Sequence, residues 1–367
     1  MPERYIGLMS GTSMDAVDAV LLELGSDNFR LLAHHSHPIP AELRQELDSL
    51  SRGPADLERV ARMDVRIGRL FAEAANTLLR NAQLSASDIR AIGSHGQTIR
   101  HQPGGSDPFT IQIGDPNLIA EKTGITTVAD LRRRDIAAGG QGAPLVPAFH
   151  AHIFRDPREA RIILNIGGIA NITTMPSDPA QAITGFDTGP ANTLMDQWIH
   201  RCKAVPFDRD GTWAASGQVQ QALLQTLLSD PYFSQAAPKS TGTDYFNLDW
   251  LQRIAPEQGC SEEDMQATLA ELTAASIHAA IQQTGFVANR IIVCGGGAYN
   301  RYLMGRLQAL AGSATVSSSA EFGLPPEWVE GAAFAWLAQR TLSGLPGNLP
   351  SVTGASHPVI LGGIYPA

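Results

Sequence analysis

Tyr5-Ile6-Gly7-Leu8-Met9-Ser10-Gly11-Thr12-Ser13-Met14-Asp15-Ala16-Val17-Asp18-Ala19-Val20-Leu21-Leu22-Glu23-Leu24 decides the reading of the fold. Tyr5 to Met9 is a short apolar run suited to a buried strand. Ser10 to Ser13 is a polar, glycine-containing turn. Asp15 to Leu24 returns as a second strand with Val17, Ala19 and Leu21 on one side, so the segment predicts a β-hairpin. Arg161 to Ile166 repeats the pattern. It runs into Gly167-Gly168 and returns through Asn171-Ile172-Thr173-Thr174. Identity between the two stretches is negligible, so the second reads as a structural copy of the first device, not a sequence repeat.

Between the hairpins the chain alternates α and β. Leu57, Val60, Ala61, Ile67, Leu70, Phe71, Ala74, Ala75 and Leu78 recur at three- and four-residue steps, an amphipathic helical period. Ile89–Gly93, Phe109–Ile113 and Ile125–Ala129 read as strands, and Asp115-Pro116 opens a short helix with Asp as cap. Beyond the second hairpin, helices are expected over about 189–201, 216–229, 262–284, 299–311 and 326–343. The strand 291–294 ends in Gly295-Gly296-Gly297, and a Pro/Gly-rich tail closes the chain. The expectation from these patterns is an α/β protein whose likeliest domain boundary lies between about 130 and 160, where the second hairpin begins.

At 367 residues the chain can bury two cores without disulfides. Charged residues make up 17% and the formal net charge is −9, which argues against a broad footprint on nucleic acid or acidic lipid. Cys202, Cys260 and Cys294 are far apart and odd in number, so neither a zinc site nor a disulfide framework is indicated. The N-terminus lacks the charged and apolar regions of a signal peptide, and no apolar run approaches the roughly 20 residues of a membrane helix. A cytoplasmic protein is the simplest expectation.

Several segments could carry chemistry. In Ser10-Gly11-Thr12-Ser13-Met14-Asp15, glycine lets backbone N–H groups face an anion and the hydroxyls add donors, while a carboxylate could hold Mg²⁺ through water. An ordinary polar turn is the plainer reading. Gly167-Gly168 has the same potential. Gly295 to Gly297 lies between a β-branched strand and a helix, where a ligand can approach backbone closely. No G-x-x-x-x-G-K-[ST] occurs, which removes the P-loop. In Gly185-Phe186-Asp187-Thr188-Gly189-Pro190, Asp187 suits a general base, but Asp187 or Thr188 could equally cap the following helix. Arg132-Arg133-Arg134 forms the one concentrated basic patch. Its arginines could meet a carboxylate or phosphate, or pair with Asp130 and Asp135. His95 and Gln97 follow a strand. They suit hydrogen bonding to a polar ligand or a purely structural role, and His95 with His101 makes only a weak metal pair.

Taken in order, Gly7–Asp15, Gly93-Ser94-His95-Gly96-Gln97-Thr98, Gly139-Gly140-Gln141-Gly142-Ala143-Pro144-Leu145, Asn165-Ile166-Gly167-Gly168, Gly185–Pro190 and Cys294-Gly295-Gly296-Gly297-Ala298 resemble the anhydro-N-acetylmuramic acid kinase family over essentially the whole length. The resemblance implies an actin / sugar kinase / Hsp70-like α/β architecture of two related domains, the first of residues 1–135 with a tail from about 345 to 367 and the second of residues 136–344, with the active site in an interdomain cleft. It implies ATP and Mg²⁺ as cofactors, a sugar substrate and a homodimer. It implies phosphate binding by Gly11, Thr12, Ser13, Met14, Asp15, Ala16, Val17 and Asp18, with Gly167, Gly168 and Asn171 in the second domain. Gly295, Gly296 and Gly297 would lie beside adenosine. Asp187 would be the catalytic base, with Glu330 a second acidic group. His95, Gln97, Arg132 and Gly189 would face the sugar. The implied reaction opens the 1,6-anhydro ring and phosphorylates O6. An ordinary sugar or carboxylate kinase, or a non-catalytic nucleotide-gated protein, are the alternative readings on the same fold.

Overall fold

The computed structural model describes residues 2–11, 14–25, 28–256 and 259–367. Its elements run β1 (Glu3–Met9), β2 (Ala16–Leu24), β3 (Phe29–Pro38), α1 (Ala41–Arg52), α2 (Leu57–Ala82), β4 (Ala91–Ser94), β5 (Gln97–Gln102), β6 (Phe109–Ile113), α3 (Pro116–Thr123), β7 (Thr127–Ala129), α4 (Arg133–Ala137) and α5 (Val146–Phe154). They continue β8 (Arg161–Ile166), β9 (Ile169–Met175), β10 (Thr184–Pro190), α6 (Asn192–Lys203), α7 (Gln221–Leu228), α8 (Pro231–Ser234), α9 (Leu248–Ile254), α10 (Glu262–Thr284), β11 (Arg290–Cys294), α11 (Arg301–Leu310) and β12 (Thr315–Ser318). The chain ends with α12 (Val329–Leu342), α13 (Pro350–Thr353) and β13 (Gly363–Tyr365).

Two compact units form, residues 1–153 with 328–367, and residues 154–327. Both expected hairpins are present. β1 pairs antiparallel with β2, from Glu3 opposite Leu24 to Met9 opposite Asp18, and β8 pairs antiparallel with β9, ending at Ile166 opposite Ala170. The first sheet has the order β13-β7-β4-β1-β2-β3 and the second β10-β9-β8-β11-β12. In each, three strands form an antiparallel meander and two further strands add in parallel beside the first. Apart from β13, the two sheets have one topology. The duplicated device therefore extends beyond the hairpins to the whole sheet.

Unit one buries the apolar faces of α1 and α2 against the β1–β2–β4 sheet through Leu47, Ile67, Phe71 and Leu78. α12 packs directly on the same sheet. A Cβ on Gly7 would sit 1.9 Å from the Gly331 carbonyl oxygen, and one on Gly93 would sit 1.9 Å from that of Phe334. Only glycine lets the helix lie this close. That contact groups residues 328–344 with the first unit, although the sequence reading put them in the second domain, and residues 136–153 group with it too. Unit two centres on α10, whose Met265, Leu269, Leu272 and Ile277 pack with Ile162, Leu164, Phe246 and Trp250.

Some sequence expectations shift. The helix expected from 189 starts at Asn192, because the chain stays in strand through Pro190. The helix expected over 216–229 covers only Gln221–Leu228. β3, α1 and β5 were not foreseen.

Candidate functional site

In unit one Gly11 follows β1, and among the described residues no atom lies within 4 Å of where its Cβ would be. Met14 adopts φ 53° and its N–H donates to the Gly11 carbonyl at 3.3 Å, so its side chain turns into the core. The Asp15 carbonyl accepts from the Ile39 N–H at 2.9 Å. Ala16, Val17 and Asp18 belong to strand β2, not to the loop. Val17 is fully buried, and the Asp18 carboxylate accepts from Ser36 Oγ at 2.8 Å. Thr12 and Ser13 lie outside the described residues.

The end of β4 delivers His95 and Gln97 beside this turn. Ser10 O can only accept, and it lies 3.2 Å from His95 Nδ1, so Nδ1 carries the proton. His95 Nε2 then accepts from the Arg132 guanidinium, from Nε at 3.1 Å and from a terminal nitrogen at 2.9 Å. Burial, with Arg132 adding to it, holds the His95 pKa well below its ordinary value, so the ring is neutral. Arg132 also donates to the Gly142 carbonyl at 2.8 Å. Burial lowers its pKa to about 10, while the charges of Glu330 and Asp135 act the other way. It therefore stays charged at neutral pH. Glu330 lies in the first turn of α12, a place that favours an acidic residue.

The basic patch divides. Arg133 pairs with Asp130 at 2.6 Å. Asp135 pairs with none of the three arginines. Its carboxylate accepts from the Gly142 N–H at 2.8 Å, Asn348 Nδ2 at 2.6 Å and Thr353 Oγ1 at 2.8 Å, and so holds the Gly-rich loop against the C-terminal segment. Three buried polar atoms in this region have no hydrogen-bond partner among the described residues: Ser10 Oγ, Ser94 Oγ and Gln97 Oε1. Buried polar groups are normally satisfied, so these three stand out beside the turn. Ser94, His95 and Gly96 also line a cavity of about 230 Å³ with Asp64, Gln112 and Arg133.

In unit two the sheet register brings a polar row together. Asn165 lies opposite Asn171, and Asn171 opposite Asp187, on three adjacent strands. In-register neighbours share a face of the sheet with side chains in reach of each other. All three are partly exposed in an otherwise buried region. The register shifts between Asp187 and Gly189, a bulge of the kind that re-aims a side chain. Asp187 Oδ2 accepts from the Thr241 N–H at 3.1 Å, and the Asp187 carbonyl accepts from Tyr232 Oη at 2.7 Å. Burial raises the Asp187 pKa to about 6 and the Thr241 bond opposes the rise. Neither Asp187 nor Thr188 caps α6. Its N-cap is Ala191, and Thr188 Oγ1 donates to the Ala170 carbonyl instead. Gly189 is the next-to-last residue of β10 and is buried.

Gly167 and Gly168 form the β8–β9 turn, and their carbonyls accept from the N–H groups of Ala191, Asn192 and Thr193 at 3.0–3.1 Å, fixing the turn to the start of α6. Gly295 has φ 78°, and a Cβ there would meet Asn165 Oδ1 at 2.5 Å. The glycine cluster therefore packs on the polar row itself. Gly296 and Gly297 line a cavity of about 630 Å³ with Asn192, Asp196, Asp208, Tyr299 and Asn300. In the sequence Asp196 takes no role, and Asn165 stands only as the first residue of a glycine motif, without a site role. Asn165 had one visible signal, a polar residue inside an apolar strand.

A family model described as anhydro-N-acetylmuramic acid kinase matches residues 3–367. Proteins named anhydro-N-acetylmuramic acid kinase from Coxiella burnetii and Pseudomonas paraeruginosa are both 52% identical to this chain. The first aligns over 364 residues, 99% of this chain and 97% of its own, and the second over 366 residues, 99% of each. The protein of that name from Shewanella halifaxensis is 53% identical over 365 residues, 99% of this chain and 98% of its own. Among solved structures, an activator of the 2-hydroxyisocaproyl-CoA dehydratase from Clostridium difficile with bound ADPNP aligns at 15% identity and TM-score 0.46, over 91% of this chain and 92% of its own. With a family match and half-identical relatives that both run end to end, this chain belongs to the anhydro-N-acetylmuramic acid kinase family.

Proposed function

We propose that this chain uses ATP to open the 1,6-anhydro ring of 1,6-anhydro-N-acetylmuramic acid and to phosphorylate O6, giving N-acetylmuramate 6-phosphate and ADP. The observation that carries this reading is the Asp187 carboxylate, partly exposed, in register with Asn171 and Asn165, and raised to about 6. In a 1,6-anhydro sugar O6 is bound to C1, so no hydroxyl awaits deprotonation. A water molecule attacks C1 and the C1–O6 bond breaks. O6 takes the γ-phosphoryl group and ADP departs. Asp187 orients that water and accepts its proton, and a group with a pKa just below neutral suits this task. The phosphoryl step needs alignment and charge neutralisation more than covalent help. Gly11, Gly167 and Gly168 supply turn backbone for the phosphates, and the 630 Å³ cavity beside Gly296 and Gly297 has room for the nucleoside. Arg132, fixed by neutral His95, offers a guanidinium for the sugar's lactyl carboxylate.

Mg²⁺ would neutralise phosphate charge. Among the described residues no three or more His, Cys, Asp or Glu side chains cluster as a ready-made metal site. The Asp15 and Asp18 carboxylates near the turn would hold the ion together with phosphate oxygens and water. No helix among the described residues is long and apolar enough to cross a membrane. A cytoplasmic homodimer completes the proposal, and sedimentation of the purified protein reads its oligomeric state.

The test is an ADP-release assay with the anhydro sugar and with its ring-opened form, run in ¹⁸O water. Turnover on the anhydro sugar with ¹⁸O at the anomeric hydroxyl is expected, and Asp187→Asn should abolish it while ATP binding persists. Turnover on the ring-opened form alone would replace this reading with an ordinary sugar kinase. Wild-type kcat in Asp187→Asn would remove Asp187 as the base.

A further inference from the structure

The unit-two cavity holds a carboxyl group that the proposed reaction does not use. Asp196 sits one turn along α6 from Asn192, and both line the cavity of about 630 Å³ with Gly296, Gly297 and Asn300. Two aromatic side chains on the same lining, Phe207 and Tyr299, are 50% and 51% exposed, which suits them to stack on a flat heteroaromatic ring. Neighbouring Asp208 is committed. Its two oxygens accept from the Trp213 N–H at 3.0 Å and the Ala214 N–H at 2.9 Å. The other charged groups on this lining are engaged as well. The Arg209 guanidinium lies over the Phe207 ring at 5.7 Å, Asp210 pairs with Arg301 at 3.4 Å, and Glu327 accepts from Tyr299 Oη. None of these contacts supplies a cation to Asp196.

We propose that Asp196 reads the nucleotide base in this cavity and favours adenine over guanine. The assignment rests on the reading of this cavity as the nucleoside site. Burial together with the Asp208 charge raises Asp196 to about 7, so near neutrality it can hold a proton. A neutral carboxyl presents one donor and one acceptor side by side. The adenine edge offers an acceptor at N1 and a donor at N6, and the two pairs match. The guanine edge offers N–H donors at N1 and N2, which match an ionised carboxylate instead. The charge state of one side chain thus selects between the two purines.

Calorimetric titration of ATP and of GTP into the intact protein, without sugar, tests this in wild type, Asp196→Asn and Asp196→Ala from about pH 6 to about pH 8.5. Wild type should favour ATP by about tenfold or more at the acid end, the scale of a bidentate base contact. That advantage should shrink as pH rises through the Asp196 pKa, because the proton donated to N1 is lost. Asp196→Asn carries a donor and an acceptor at every pH, so its ATP preference should persist without pH dependence. Asp196→Ala should lose most of the preference. An unchanged ATP-to-GTP ratio in Asp196→Ala, with wild-type binding intact, would overturn the role of Asp196 alone. Failure of the wild type to bind either nucleotide would overturn the nucleoside reading and this assignment together.

Discussion

Asp187 shows how much of a residue's role is visible without coordinates. Its place between a strand and a Gly-Pro turn was legible, but the same residues also fitted a helix cap, and only the continued strand to Pro190 with Ala191 at the N-cap separates the two. Its neighbours were harder. Asn171 was found through the glycine turn before it, whereas Asn165 stood in an apolar run that reads as core. What joins them is cross-strand register, which no local pattern states. The raised pKa has a direct consequence for rate. The base acts only when ionised, so kcat should rise with pH through about 6 and level off above it. A pH–rate profile flat between about pH 5 and 8 would oppose the assignment. The sequence offers Arg132 as a cation for a substrate anion but gives no sign of its hydrogen bonds to His95. The two lie 37 positions apart and meet only because β4 and the β7–α4 turn end side by side.

At the scale of elements, both hairpins and the long helix α2 were legible because each has a clean hydrophobic period. β3 was missed because its sequence, Phe-Arg-Leu-Leu-Ala-His-His-Ser-His-Pro, is half-exposed and rich in histidine. β5 was missed because Gln97 to Gln102 is largely polar and forms only a two-stranded ribbon with β6. The placement of α12 was hidden for another reason. Glycines in β1 and β4 create the groove it fills, and a glycine in a strand looks like a weakness until something lies against it. Gly93→Ala tests this packing. A methyl group 1.9 Å from the Phe334 carbonyl oxygen cannot be absorbed by a flexible side chain, so the helix must move. Chemical denaturation should show a loss of at least about 2 kcal/mol, at the upper part of the range for overpacked cores. A loss below about 0.5 kcal/mol would mean that α12 is not seated as described.

For the molecule as a whole, the order meander-then-parallel recurs in both sheets, and the sequence hinted at this only through two glycine turns. The domain limits were less legible, because the C-terminal third of the chain crosses between units without a linker of distinctive composition. Asp135 is one of the residues that tie its return together, since its carboxylate accepts from all three of Gly142, Asn348 and Thr353. Asp135→Ala leaves the buried Gly142 N–H and Asn348 Nδ2 without this acceptor and should lower stability by about 2–4 kcal/mol, read as a fall in Tm with a single transition. A Tm within a degree of wild type would show that the tail is held by other contacts.

The alignment of Asn165, Asn171 and Asp187 has an evolutionary corollary. Side chains along a strand alternate, so the trio exists in only one pairing of β9 with its neighbours. A one-residue slip of β9 against β8 and β10 would turn Asn171 to the opposite face of the sheet and break up the row, while each β-ribbon still forms. Under the proposed function a descendant with that slip folds without turning over, and strand pairing at that one spot tells a working enzyme from an inert scaffold.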